Sequence, residues 1–400
     1  MNTLPQELKL HIFRFATSNP SRYQDTSPDY TIFEPVALRC RSSDFGFGTK
    51  QSLVLVCKEW KQIATELLYE CILVGNEVLQ LLEALRENGR WVRRVEVLSN
   101  THHGFDVDPS HLLCILSRCP LVEVIVKRSL VDSVALHHTM RALPRTEGFP
   151  ILQHLRRLDW WLPWLNPTYQ GFVSRLIAHA PNLSYLTSAG GFFGWREAHL
   201  NQPGLQEIEE YANIRTLRFE IETLEIDARA AYPPNLRLPN LTHLVVGVMN
   251  HSASAATASL LQTHGHLIQT LSFIDIALPK ALSFLLEDID PQIPQKIFNA
   301  CPNITEFCTT LRMGTLLYSH FSTFPNNAFK SLRCIYITLD DTAVVDSAKL
   351  ALLIIKNRAQ FPALNKVVFG GEEKTWKSLM CYMMLRKYAK SDNSFTLEFR

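Results

Sequence analysis

The sequence carries almost no net charge, with 40 Lys and Arg against 38 Asp and Glu over 400 residues. Phosphate-binding surfaces show a basic excess, so no nucleic-acid partner is expected. It lacks an unbroken apolar run of the roughly 18 residues needed to cross a bilayer. A helical pattern starting at Leu4 leaves no room ahead of it for a cleaved leader. No membrane partner is therefore expected. The nine cysteines, Cys40, Cys57, Cys71, Cys114, Cys119, Cys301, Cys308, Cys334 and Cys381, are odd in number and scattered. They suit reduced thiols of a cytoplasmic or nuclear protein better than a disulfide frame.

Signals for bond chemistry are also scarce. His102-His103 and His137-His138 are adjacent pairs, without the i, i+4 spacing of a helical metal site. His111, Cys114 and Cys119 lack the second Cys pair that would complete a zinc set. The pairs Gly190-Gly191 and Gly370-Gly371 are not followed by the Lys-Ser/Thr of a nucleotide loop, and tight turns account for them. No metal, cofactor or catalytic group is expected. An enzyme would need an active site assembled from distant residues.

What the sequence does have begins at its N-terminus. Thr3 and Gln6 have the spacing of a capping box, with Pro5 in the first turn. Leu4, Leu8, Ile12 and Phe15 recur at helical spacing, and Leu10 and Phe13 widen the apolar surface beyond what one surface helix needs. The helix is expected to stop near Thr17, before Ser18-Asn19-Pro20-Ser21. Residues 17–49 read as an inserted loop. Helicity resumes near Lys50 and carries Leu53, Val56, Cys57 and Trp60 on one side, then Ile63, Leu67 and Leu68. Surplus apolar surface on paired helices is a docking face; the plainer reading makes them core helices of a larger domain.

Leu4-Pro5-x-Glu7-Leu8-x-x-x-Ile12-Phe13, followed by Leu55-Val56-Cys57-Lys58-x-Trp60 and then Leu67-Leu68-Tyr69, resembles the fungal members of the F-box family. The likeness covers about 55 to 60 residues. It implies a three-helix module, residues 1–72, that packs onto a Skp-type adaptor and through it joins a cullin-based ubiquitin ligase. Leu4, Pro5, Leu8, Ile12, Leu55, Val56, Cys57 and Trp60 would meet the adaptor or support that surface. The family usually joins the two segments by a short link, and here about 30 residues intervene; loop closure tolerates such length.

From residue 92 a hexad Φ-x-x-Φ-x-Φ, with Φ a large apolar residue, recurs ten times at starts 92, 121, 155, 183, 214, 241, 268, 304, 332 and 364. A period of about 30 residues indicates stacked units that cannot bury their apolar faces alone. Several return segments read as helices, and many stop at a proline ahead of the next strand, as at Pro120, Pro181, Pro302 and Pro362. A short strand plus a helix per coil resembles the leucine-rich repeat. The expected fold class is α/β: a helical module followed by an irregular leucine-rich-repeat-like solenoid with an inner parallel sheet, residues 73–373. A helix and an alternating strand in 374–400 would cap it. The turn asparagine of that repeat stands at Asn100 but gives way to Ser129, Pro163, Gly191 and Glu222 in the next four units. A non-solenoid α/β domain is the alternative.

Strand alternation sends the third, fifth and seventh hexad positions to the inner surface. Arg94, Arg157, Trp161, Tyr185 and Arg218 are the cargo-binding candidates there, because aromatics and Arg dominate interface energetics. Trp160 is expected in the core. The combined expectation is a non-catalytic, substrate-recognition subunit of an SCF-type ligase that carries an unidentified protein. An interaction scaffold that does not promote ubiquitination is the rival.

Overall fold

The computed structural model describes residues 4–17, 47–75, 77–99, 107–129, 149–160, 167–189, 209–220, 236–248, 260–275, 298–311, 329–338, 347–371, 373–392 and 394–399. The chain divides into two compact units, Met1–Gly191 and Phe192–Arg400. The division falls inside the stretch 73–373 that the repeat pattern assigns to one solenoid.

The first unit opens with three helices, α1 (Gln6–Thr17), α2 (Phe47–Val56) and α3 (Lys58–Glu70). It continues as β1 (Cys71–Val74), α4 (Val78–Asn88), β2 (Arg94–Ser99), α5 (Pro109–Arg118), β3 (Val124–Ser129), β4 (Arg157–Trp160), α6 (Pro167–Ala178) and β5 (Tyr185–Ala189). β1 to β5 pair in chain order and all in parallel. Parallel neighbours cannot be joined by a tight hairpin, so each strand needs a return segment. α5 starts where such a segment should: Asp108 accepts the Ser110 N–H at 2.8 Å, and Pro109 takes the position whose N–H would go unpaired.

The second unit contains β6 (Glu209–Glu210), β7 (Thr216–Glu220) and β8 (Leu236–Arg237), of which β6 and β8 pair with each other. β7 joins β9 (His243–Val248), followed by β10 (Thr270–Asp275), β11 (Glu306–Thr310), β12 (Cys334–Thr338), β13 (Lys366–Gly370) and β14 (Thr396–Phe399). These seven also pair in parallel and in chain order. α7 (Ser347–Lys356) returns from β12 to β13, and α8 (Glu373–Lys377) and α9 (Met380–Ser391) separate β13 from β14. One main parallel strand per coil, with helices in several of the described returns, is the leucine-rich-repeat-like α/β arrangement the hexads called for.

A single turn introduces the coils. The first apolar residue of each hexad donates its N–H to the carbonyl three residues earlier, as Val92 does to Gly89, Leu183 to Ala180, Ile268 to Gly265 and Leu364 to Phe361. The same turn corrects one register. Val122, not Leu121, donates to Cys119, and Val95 pairs with Ile125. The second hexad therefore starts at 122, which makes Val124 rather than Glu123 the residue beside Arg94. Burial explains the choice: Val122 is 1% exposed and Leu121 only half-buried.

Asparagines do repeat along the coils, but at this lead-in turn. The Asn182, Asn240 and Asn303 amides each donate at 2.7 Å to a carbonyl of the preceding coil, on Gln153, Ala212 and His266. Asn100, Pro163, Gly191 and Glu222 lie outside the described residues. Two turns need glycine. A Cβ on Gly89 would sit 2.0 Å from the Arg118 carbonyl oxygen, and one on Gly265 2.2 Å from that of Ala300.

The end of the second unit is closed by aromatics. Phe369 meets Trp376, Tyr382 and Phe399 at 4.6, 5.7 and 5.6 Å between ring centroids. Trp376 is fully buried and donates its indole N–H to the Gly370 carbonyl at 2.9 Å. Gly371 turns the chain there with φ +99°, a left-handed conformation that side chains disfavour. The expected cap, 374–400, thus joins the sheet as its next parallel strand.

Candidate docking face

α1 has two faces of opposite use. Lys9, Phe13 and Thr17, at i, i+4 and i+8, are buried. Leu8, Ile12 and Phe15 lie on the outer side and are 51, 41 and 84% exposed. The apolar stripe recognised in the sequence is therefore mostly an outward one, and only Phe13 and half-buried Leu10 turn to the core. That core is small: Phe13, Ile63, Ala64 and Leu67, with Leu10, Leu53, Val54 and Trp60 packed on it.

Polar pairs fix α1 on α3. Lys9 bonds to Glu59, and Arg14 reaches Glu66 at 3.0 Å and Glu70 at 3.6 Å. The Thr17 hydroxyl donates to the Phe13 carbonyl at 2.8 Å in the last turn of α1.

The second segment is two helices where the sequence suggested one continuous run. The break is at Cys57, whose backbone is extended and whose sulfur accepts the Trp60 N–H at 3.5 Å, capping α3. The break leaves Leu55 and Val56, at the end of α2, 83 and 57% exposed. Cys57 is an exposed free thiol.

The predicted docking set is thus distributed as follows. Leu8, Ile12, Leu55, Val56, Pro5 and Cys57 are exposed, whereas Leu4 and Trp60 are half-buried. Trp60 supports the surface from behind through its ring contact with Phe13. Phe15 was read as part of the stripe but not as a contact residue; its exposure adds it, and its spacing from Ile12 was the available signal. Ten large apolar side chains are exposed among the described residues, and five of them belong to α1 and α2. Half of these exposed apolar side chains thus fall on two helices, more than single residues scattered over a surface would give. Thr3 and the inserted segment 18–46 lie outside the described residues.

The cargo candidates are placed differently from expectation. Arg94, Arg157, Tyr185 and Arg218 are each 5% exposed or less, so they do not form a solvent-facing surface. In the first unit they belong to a buried polar network. Arg94 Nε meets Glu96 at 2.7 Å, and Arg157 Nε meets Asp159 at 2.7 Å. The Arg157 guanidinium lies 4.1 Å from the Tyr185 ring centroid, and Thr187 donates to Asp159. Fully buried Lys127 lies over the Trp160 ring at 5.3 Å. Buried charge persists only when paired, and these pairs supply that condition. Trp160 is in the core as expected; Trp161 lies outside the described residues.

Burial also shifts the titration of several groups. It pushes the Cys119, Cys301 and Cys308 thiols up to about 12, and Cys334 to about 11. It lowers His243 from the usual imidazole range, partly offset by the Glu306 carboxylate. Lys50 is lowered by burial too, against the opposing pull of Cys71 and Glu70. A thiol held protonated at neutral pH is not a nucleophile. Among the described residues no three His, Cys, Asp or Glu side chains gather to hold a metal ion. No described helix is long and apolar enough to cross a membrane.

No family model and no curated protein matches the chain. Among solved structures, it is similar to the leucine-rich repeat-containing protein LegL7 from Legionella pneumophila, with 10% identity and a TM-score of 0.46, over 82% of this chain and 89% of that one. It is also similar to a protein from Bacteroides fragilis, with 11% identity and a TM-score of 0.34, over 85% and 76% of the two chains. Neither likeness speaks to function.

Proposed function

We propose that the chain is a substrate-recognition subunit of a cullin-based ubiquitin ligase, with α1 to α3 forming an F-box-like module that docks a Skp-type adaptor. The observation that carries the reading is the outward apolar set Leu8, Ile12, Phe15, Leu55 and Val56 on a module whose own core is complete without it. These are positions the F-box resemblance assigned to the adaptor, Phe15 excepted. The rest of the chain would hold a protein cargo and act in the cytoplasm or nucleus. Linkage of the two would raise the cargo's effective concentration beside a conjugating enzyme, with no bond chemistry on this chain.

The test is co-purification of the full chain with a Skp-type adaptor and cullin, wild type against a Leu8→Asp/Leu55→Asp variant. Retention of both partners by the wild type and loss by the variant supports the reading. Retention of the adaptor without cullin favours an interaction scaffold outside the ligase.

A further inference from the structure

The second unit contains an open groove of about 660 Å³ along the lead-in turns of β9 to β13. Its floor is a closed backbone ladder: Gln269 N–H donates to the Thr242 carbonyl at 2.9 Å, Thr305 to Gln269 at 2.8 Å, and Arg333 to Thr305 at 2.8 Å. Asn303 and the Thr305 hydroxyl are also committed to coil carbonyls. The backbone and these side chains build the groove and leave little of themselves for a ligand.

What remains is basic. Lys330 and Arg333 stand exposed on the turn into β12, and no Asp or Glu lines the groove among the described residues. Among the described residues neither cation has a carboxylate partner, unlike Lys366, which meets Glu398 at 2.7 Å, or Arg14. Exposed Gln269 and half-buried Ser331 add hydrogen-bonding groups beside them. Adjacent parallel strands are about 4.8 Å apart, so the row Thr242, Gln269, Thr305, Arg333 spans roughly 14 Å, the length of about four extended residues.

We infer that this groove binds an extended acidic peptide segment of a partner protein, with carboxylates at Lys330 and Arg333 and the peptide backbone along Gln269 and Ser331. Charge complementarity selects the occupant, because an uncharged or basic segment would leave both cations unanswered. A nucleic acid is disfavoured by the near-neutral chain, which offers no extended basic track. The inference does not depend on adaptor docking, which uses the other compact unit.

The experiment is a fluorescence-anisotropy titration of the intact chain with a labelled alternating Glu-Ala peptide of about eight residues. The Gln-Ala counterpart and a single-stranded oligonucleotide serve as competitors. The Glu-Ala peptide is expected to bind, and Lys330→Glu/Arg333→Glu to weaken it roughly two- to thirtyfold, the range for losing two exposed ion pairs. Arg333→Lys keeps most of the binding. Lys374→Glu/Lys387→Glu makes the same charge change elsewhere in the unit and leaves binding unaltered, and all variants keep the wild-type circular-dichroism spectrum. Absence of binding, equal competition by Gln-Ala or by the oligonucleotide, or equal weakening by both charge reversals overturns the inference.

Discussion

The rings of Phe13 and Trp60 meet at 4.8 Å between centroids with a 55° tilt, joining α1 to α3 beneath the outward apolar stripe. The contact separates two jobs within one helix. Phe13 holds the module together, and Leu8, five residues earlier on the opposite side of the helix, faces out.

Substitution should expose that division. Phe13→Ala removes a 3% exposed ring and is expected to destabilise the module by about 3–5 kcal/mol. Leu8→Asp should cost no more than about 0.5 kcal/mol, because its side chain is half exposed already. Hydrogen exchange of α1 and α3 amides measures both: protection collapses in the first variant and persists in the second.

Gly89 and Gly265 should not tolerate alanine. The carbonyl oxygens 2.0 and 2.2 Å from the added Cβ belong to backbone and must move. Overpacking of this kind costs about 1–3 kcal/mol. Urea unfolding of Gly265→Ala should show a lower midpoint, whereas Gly48→Ala, inside α2 with nothing within 4 Å of the added Cβ, should leave it unchanged or raise it.

The buried pair Arg157–Asp159 should fail asymmetrically. Asp159→Ala removes the carboxylate beside a buried guanidinium and is expected to cost about 3–5 kcal/mol. Replacing both with apolar residues, Arg157→Met/Asp159→Leu, should recover much of that loss. Equal destabilisation by single and double variants in urea titrations would contradict the assignment.

Much of this architecture was legible in advance, and the failures have physical causes. The hexads were readable because residues such as Val92, Leu155, Leu183, Leu241 and Leu364, buried at the start of their coils, head the same apolar pattern each time. The slip at 121/122 arose because Leu121 and Val122 are both apolar, as are Val124 and Ile125. Parallel strands buried on both faces lose the alternation that would fix register. Only the turn to Cys119 decides it. The break at Cys57 carried no proline or glycine, and cysteine is not among the usual capping residues. The burial of Arg94 and Arg157 could not be read locally, since what covers a strand face comes from elsewhere in the chain. The apolar stripe of α1 was legible through its helical spacing, and the reading of Leu8 and Ile12 as outward residues agrees with their exposure.

Thiol burial gives a pH signature. With Cys119, Cys301 and Cys308 raised from 9.0 to about 12, the folded state holds protons that the unfolded chain releases. Their contribution to stability is full below pH 9 and is lost as pH rises from 9 towards about 12. At pH 8 iodoacetamide should label exposed Cys57 and Cys114 in the native chain, and reach these three only after urea unfolding. Mass spectrometry of the labelled peptides decides the order.

The adaptor assignment meets its most direct test in calorimetric titration of a purified Skp-type adaptor into the full chain. The account predicts saturable binding by wild type, and a loss of about 2 kcal/mol or more, roughly thirtyfold in affinity, for Leu8→Asp/Leu55→Asp with α1 to α3 still protected from exchange. No binding by wild type, or equal binding by the folded variant, would contradict it.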